Sequence, residues 1–87
     1  MDAEETRKLR DKARSLEPIV RIGKNGITDA MVDHIKRMLL KRHLVKVKFL
    51  QSFMEDNDIK EVASTLSKLT DSVLIDKVGF VVVLYRG

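Results

Sequence analysis

The segment Phe80-Val81-Val82-Val83-Leu84 restricts the fold more than any other part of this sequence. Five consecutive apolar residues leave no polar side for water. A strand here must be buried on both faces and lie centrally in its sheet. Through Tyr85 the run is only of strand length, far short of the ~20 apolar residues that a membrane span requires.

Leu44–Leu50 reads differently. Val45, Val47 and Phe49 alternate with Lys46 and Lys48, so one face is apolar and the other charged, the pattern of a half-buried strand. Ile19-Val20-Arg21-Ile22 is a shorter strand, broken by Gly23-Lys24-Asn25-Gly26. Val73–Ile75 is expected to be a strand joined to Phe80–Tyr85 through Lys77-Val78-Gly79, with the glycine marking the turn.

Three segments carry helical periodicity. In residues 3–16, Leu9, Ala13 and Leu16 recur at four- and three-residue steps, acids open the segment, and Pro18 closes it. Thr28 is the expected N-cap of a second helix, whose buried stripe is Met31, Val32, Ile35, Met38 and Leu39 and whose pattern fades at Arg42-His43. Gln51–Asn57 reads as a polar loop with Phe53 and Met54 tucked under one side. Asp58 and Glu61 then form a capping box for a third helix with Ile59, Val62, Ala63, Leu66 and Leu69 on its apolar face. The resulting order is α-β-α-β-α-β-β over residues 1–87, read as a single domain.

Leu, Ile, Val and Phe together supply 29 of 87 residues, enough for the chain to fold on its own core. The absence of cysteine excludes disulfides, a thiolate nucleophile and thiolate metal sites, and matches a reducing compartment. The mixed-charge N-terminal segment does not read as a secretory signal, so a cytoplasmic protein is expected. Catalysis has little to work with. His34 and His43 are nine residues apart and would face opposite ways on a helix. Asp56-Asn57-Asp58 lacks the glycine and terminal glutamate of a calcium loop and reads as a helix cap. No catalytic residue, metal ligand or cofactor is assigned.

Charge is the more informative quantity, because it is uneven. Residues 1–50 hold 13 basic and 7 acidic side chains, a net of +6, whereas residues 51–87 hold 4 and 6, a net of −2. The basic half contains Arg7, Arg10 and Arg14 at helical spacing, then Lys36, Arg37, Lys41 and Arg42, then Lys46 and Lys48 opposite the core side of their strand. In its midst lies the glycine loop. It is neither a P-loop nor GxGxxG, but two glycines around Lys24 and Asn25, placed just before a helix, suit a close approach by a phosphodiester backbone. An ordinary tight turn with positive φ at Asn25-Gly26 is the plain alternative. Only 5% of residues are aromatic and none is Trp, so a base-stacking aromatic sheet is not expected, and Tyr85 reads as a packing residue.

Four blocks of the sequence resemble the chloroplast RNA splicing and ribosome maturation (CRM) domain and its YhbY-like single-domain members. They are Leu16-Glu17-Pro18-Ile19-Val20, Ile22-Gly23-Lys24-Asn25-Gly26-Ile27-Thr28, Leu44-Val45-Lys46-Val47-Lys48, and Val78-Gly79 with Val83-Leu84-Tyr85-Arg86. The resemblance implies an α/β fold (an α+β sandwich) with a mixed four-stranded sheet, similar to the C-terminal domain of translation initiation factor three. It also implies RNA binding through the GxxG loop Gly23, Lys24, Asn25 and Gly26 and the adjacent basic surface. Arg7, Arg10, Arg14, Lys46 and Lys48 would extend that surface. The implied partner is ribosomal RNA or a precursor of the large ribosomal subunit, with no membrane or small-molecule substrate. Two other readings of a basic half of this kind are an Alba-like chromatin protein and a protein–protein adaptor that docks an acidic partner.

Overall fold

A computed structural model describes all residues 1–87. Helix α1 (Ala3–Ala13) leads to strand β1 (Pro18–Ile22), α2 (Asp29–Arg42) and β2 (Leu44–Phe49). A short helix α3 (Gln51–Met54), helix α4 (Ile59–Leu69) and the hairpin β3 (Val73–Val78) and β4 (Val81–Tyr85) complete the chain. The strands form one mixed sheet in the order β1-β2-β4-β3, with β1 parallel to β2 and the other two pairings antiparallel.

The expected apolar strand is central, and its residues Val82–Leu84 are buried on both faces, whereas Val81 is only partly covered. Val82 and Leu84 point into one core and Val83 into another. The larger core joins Ile35 and Leu39 of α2 and Ala63 and Leu66 of α4 to Ile22, Val45, Val47 and Phe49 of the sheet. All of these are essentially inaccessible to water. At roughly 1.5–3 kcal/mol per fully buried large aliphatic or aromatic side chain, this layer supplies most of the drive to fold. On the opposite face α1 covers only part of the sheet, packing Ala13 against Leu44, Ile75 and Val83 with Leu9, Leu16 and Tyr85 around them.

Local chemistry explains the element ends. Asp2 caps α1 by accepting the Glu5 N–H at 2.8 Å, and Thr28 caps α2 by accepting the Met31 N–H at 3.2 Å. Asp58 caps α4, but its carboxylate takes the Lys60 N–H at 2.8 Å and no reciprocal bond from Glu61 completes the capping box. At the end of α2, His43 adopts φ 67° and is clasped to Arg86. Its carbonyl accepts the Arg86 N–H at 2.8 Å, and its Nδ1 lies 2.9 Å from the Arg86 carbonyl.

Further expectations require correction. The first helix ends at Ala13, three residues early, so Leu16 reaches the core from the following turn. Residues 51–57 are not all loop, because α3 forms within them; Phe53 and Met54 are half-buried there, and Phe53 stacks on Phe49 with ring centres 5.4 Å apart. Strand β3 runs on to Val78. The turn is therefore Gly79-Phe80, with Gly79 at φ 58°, and Phe80 is an exposed turn residue instead of the first buried residue of β4.

Candidate nucleic-acid interface

The loop Gly23–Gly26 is a tight turn closed by a 2.9 Å bond from the Gly26 N–H to the Gly23 carbonyl. Only Gly26 has positive φ, 72°; Asn25 does not. The two glycines serve different needs. Gly26 occupies a left-handed backbone that other residues rarely adopt. At Gly23 a Cβ would stand 3.2 Å from Leu50 Cδ1, so this glycine lets the turn seat against the start of α3. At the tip the backbone N–H groups of Lys24 and Asn25 have no backbone partner, and both residues are exposed. The N-terminus of α2 contributes less than its position suggests. Thr28 already takes one of its N–H groups, and the Asp29 carboxylate stands in its first turn.

Lys24 makes no ion pair. Yet Lys24, Asn25 and Gly26 share a depression of about 400 Å³ with Ser52, Glu55 and Asp56 from α3 and the residues after it. One side of the loop is therefore acidic, which the sequence, with these residues far apart, did not reveal.

The other side is basic. Lys46 and Lys48 lie two residues apart on β2 and project from the face opposite Val45, Val47 and Phe49. Arg21 is in register with Lys48 on the parallel neighbour β1, so it shares that face; the next pair, Ile22 and Phe49, is buried on the other. Arg21 was not among the expected site residues. Its only sequence signal was a cation interrupting an apolar strand. Lys46 also lines a groove on the same sheet face together with Arg10 of α1 and Arg14 at its C-terminal end. A cationic track thus runs from Arg10 and Arg14 through Lys46 to Lys48 and Arg21, two residues before Gly23. Arg14 makes only an exposed 3.8 Å contact with Asp11, and the other four have no ion-pair partner.

Not every basic residue joins this track. Arg7 lies farther along α1, beside Ala3 and Glu4. Lys36, Arg37, Lys41 and Arg42 belong to α2, which packs on the opposite face of the sheet. The positive half of the sequence is therefore divided by the sheet and does not form one continuous surface around the loop. No three His, Asp or Glu side chains are grouped so as to hold a metal ion, and no helix is long and apolar enough to cross a membrane.

A family model described as the CRS1 / YhbY (CRM) domain matches residues 1–86. The chain is 38% identical over 86 residues to "Probable RNA-binding protein YqeI" of Bacillus subtilis, covering 99% of this chain and 88% of that protein. It is 38% identical over 80 residues to "Probable RNA-binding protein MJ0652" of Methanocaldococcus jannaschii, covering 92% of this chain and 59% of the archaeal one. The solution structure of the hypothetical protein SAV1595 from Staphylococcus aureus superposes with a TM-score of 0.79 at 39% identity, covering 100% of this chain and 88% of that one.

Proposed function

The chain belongs to the CRS1/YhbY (CRM) domain family, and from that premise we propose that it is a non-catalytic, cytoplasmic RNA-binding protein. The whole chain acts as one RNA-binding domain. Its target is ribosomal RNA, met on precursors of the large ribosomal subunit. Relatives named as RNA-binding proteins support the class of partner. The observation that carries the reading for this chain is the cationic track that ends at the glycine loop, in which Arg10, Lys46, Lys48 and Arg21 have no ion-pair partner.

Lys24 and Asn25 meet phosphate oxygens with their free N–H groups and side chains, as turn amides do in other anion sites. Lys48, Arg21 and Lys46 continue the contact along the backbone, and Arg7 adds charge at its margin. Glu55 and Asp56 give the RNA a direction. Repulsion closes the α3 side of the loop to a phosphate chain, so the RNA enters from the sheet face.

Binding of this kind is dominated by counterion release, with about 0.9 units of log–log salt slope per phosphate neutralised on a duplex and about 0.7 on a single strand. Lys24→Gln is expected to weaken binding to a structured RNA and to reduce that slope by about one contact. Unchanged affinity and slope would remove the loop from the interface. Crosslinking in cells followed by sequencing of the bound RNA tests the target. Enrichment of large-subunit ribosomal RNA supports assembly, and recovery of unrelated transcripts or genomic DNA rejects it.

A further inference from the structure

The groove between α1 and the open half of the sheet has more than charge. Its volume is about 460 Å³, within the ~300–1,000 Å³ of clefts that hold small organic groups. Arg10, Arg14 and Lys46 form its rim, and Val78, Val81 and Val83 supply an apolar floor. Val78 and Val81 are open to solvent beside these cations, with the buried Val83 beneath them. Val78 remains 67% accessible, on a sheet face whose other half is buried under α1. A purely phosphate-binding surface has no use for such a floor.

Building on the RNA-binding reading above, we propose that this groove takes a single unpaired nucleotide. Its base lies on Val78, Val81 and Val83, and its flanking phosphates are held by Arg10, Arg14 and Lys46. The two halves of a nucleotide match the two halves of the groove. Guanidinium planes can also stack on a base where no aromatic side chain is present.

The one carboxylate on the rim, Asp76, points to the same occupant. One of its oxygens accepts the Lys77 N–H at 2.9 Å. Its remaining acceptor capacity suits the amino and imino donors of a base edge, which a Watson–Crick pair would conceal. A paired A-form helix keeps its bases stacked and cannot bring one onto the valines, so the groove favours a loop, bulge or single-stranded segment. Along β2, the residues from Lys46 to Lys48 lead from this groove toward the glycine loop, so one RNA strand can occupy both.

The test is an NMR titration of the full chain, following valine methyl groups and backbone amides. One ligand is a short single-stranded RNA of non-self-complementary sequence and the other an RNA duplex of equal length. The expected result is an upfield ring-current shift of the Val78, Val81 and Val83 methyls with the single strand and none with the duplex. If the Lys24 and Asn25 amides shift but these methyls do not, the groove assignment falls while RNA binding stands. Equal methyl shifts with the duplex, or with a poly-glutamate peptide of matched charge, overturn the unpaired base. If no resonance moves with either RNA, the RNA reading fails and the groove's role fails with it.

Discussion

The two faces of the sheet are built from the same strands and do opposite things. On the α2/α4 face ten buried residues form one closed apolar layer. On the α1 face only Leu44, Ile75 and Val83 of the sheet are buried, under Ala13 of a single helix, and the remainder is left to Arg21, Lys46, Lys48 and the groove. The division arises inside individual strands. In β2 the odd positions Val45, Val47 and Phe49 face the closed side, and Lys46 and Lys48 face the open one. Because side chains alternate along a strand, stability and binding can be assigned to separate faces with little mutual interference.

The largest test of this separation is Phe49→Ala. It removes a fully buried ring and its stacking with Phe53, and should lower unfolding free energy by about 3–5 kcal/mol in urea denaturation. A loss below about 1 kcal/mol would mean that the closed face is not the stabilising one. A finer comparison uses neighbours on β4. Val82→Ala empties space in the larger core and Val83→Ala in the smaller. Losses of roughly 2–3 and 1–2 kcal/mol are expected, from ~0.8 kcal/mol per buried methylene plus a cavity cost that is larger where the surroundings are closed. Equal losses would show that α1 seals its face as well as α2 and α4 seal theirs.

Gly26→Ala places a Cβ at φ 72°, costing about 1 kcal/mol in stability. Any loss of RNA affinity in this variant reports loop geometry, since no charge is removed. The smallest effect on stability belongs to the open face. Arg10→Gln with Lys46→Gln should leave the urea midpoint within about 0.5 kcal/mol of the parent. The same pair should lower the RNA salt slope by nearly two contacts. A large change in stability there would break the separation.

What the sequence made legible follows the same physics. Thr28 as a cap, the alternation in β2 and the central place of β4 are local patterns, each contained within a few residues, and each was readable. Helix α3 was not. It is four residues long, too short for periodicity, and its N-cap Leu50 makes no side-chain capping bond. The end of β3 was hidden because Asp76 and Lys77 interrupt the apolar run on an edge strand, and Phe80 looked like core because hydrophobicity does not mark a two-residue turn. The loop, Lys46 and Lys48 could be nominated from sequence. Arg21 beside Lys48 and Glu55 and Asp56 beside Lys24 could not, since both juxtapositions depend on pairing and packing between distant segments.

The strand order carries one more consequence, for how the molecule assembles. Strand β3 touches the rest of the sheet only through β4, and β4 reaches back to β2 with Leu44 opposite Tyr85. Removing β4 would not shorten the sheet by one strand; it would divide it, leaving β1-β2 and β3 with no hydrogen bonds between them. Folding must therefore close a long loop before the sheet exists, an entropic barrier that favours an all-or-none transition over gradual growth from one edge. Until that loop closes, the β1–β2 pair and the β3–β4 hairpin are separate pieces, and the open basic face, which takes residues from both, is incomplete.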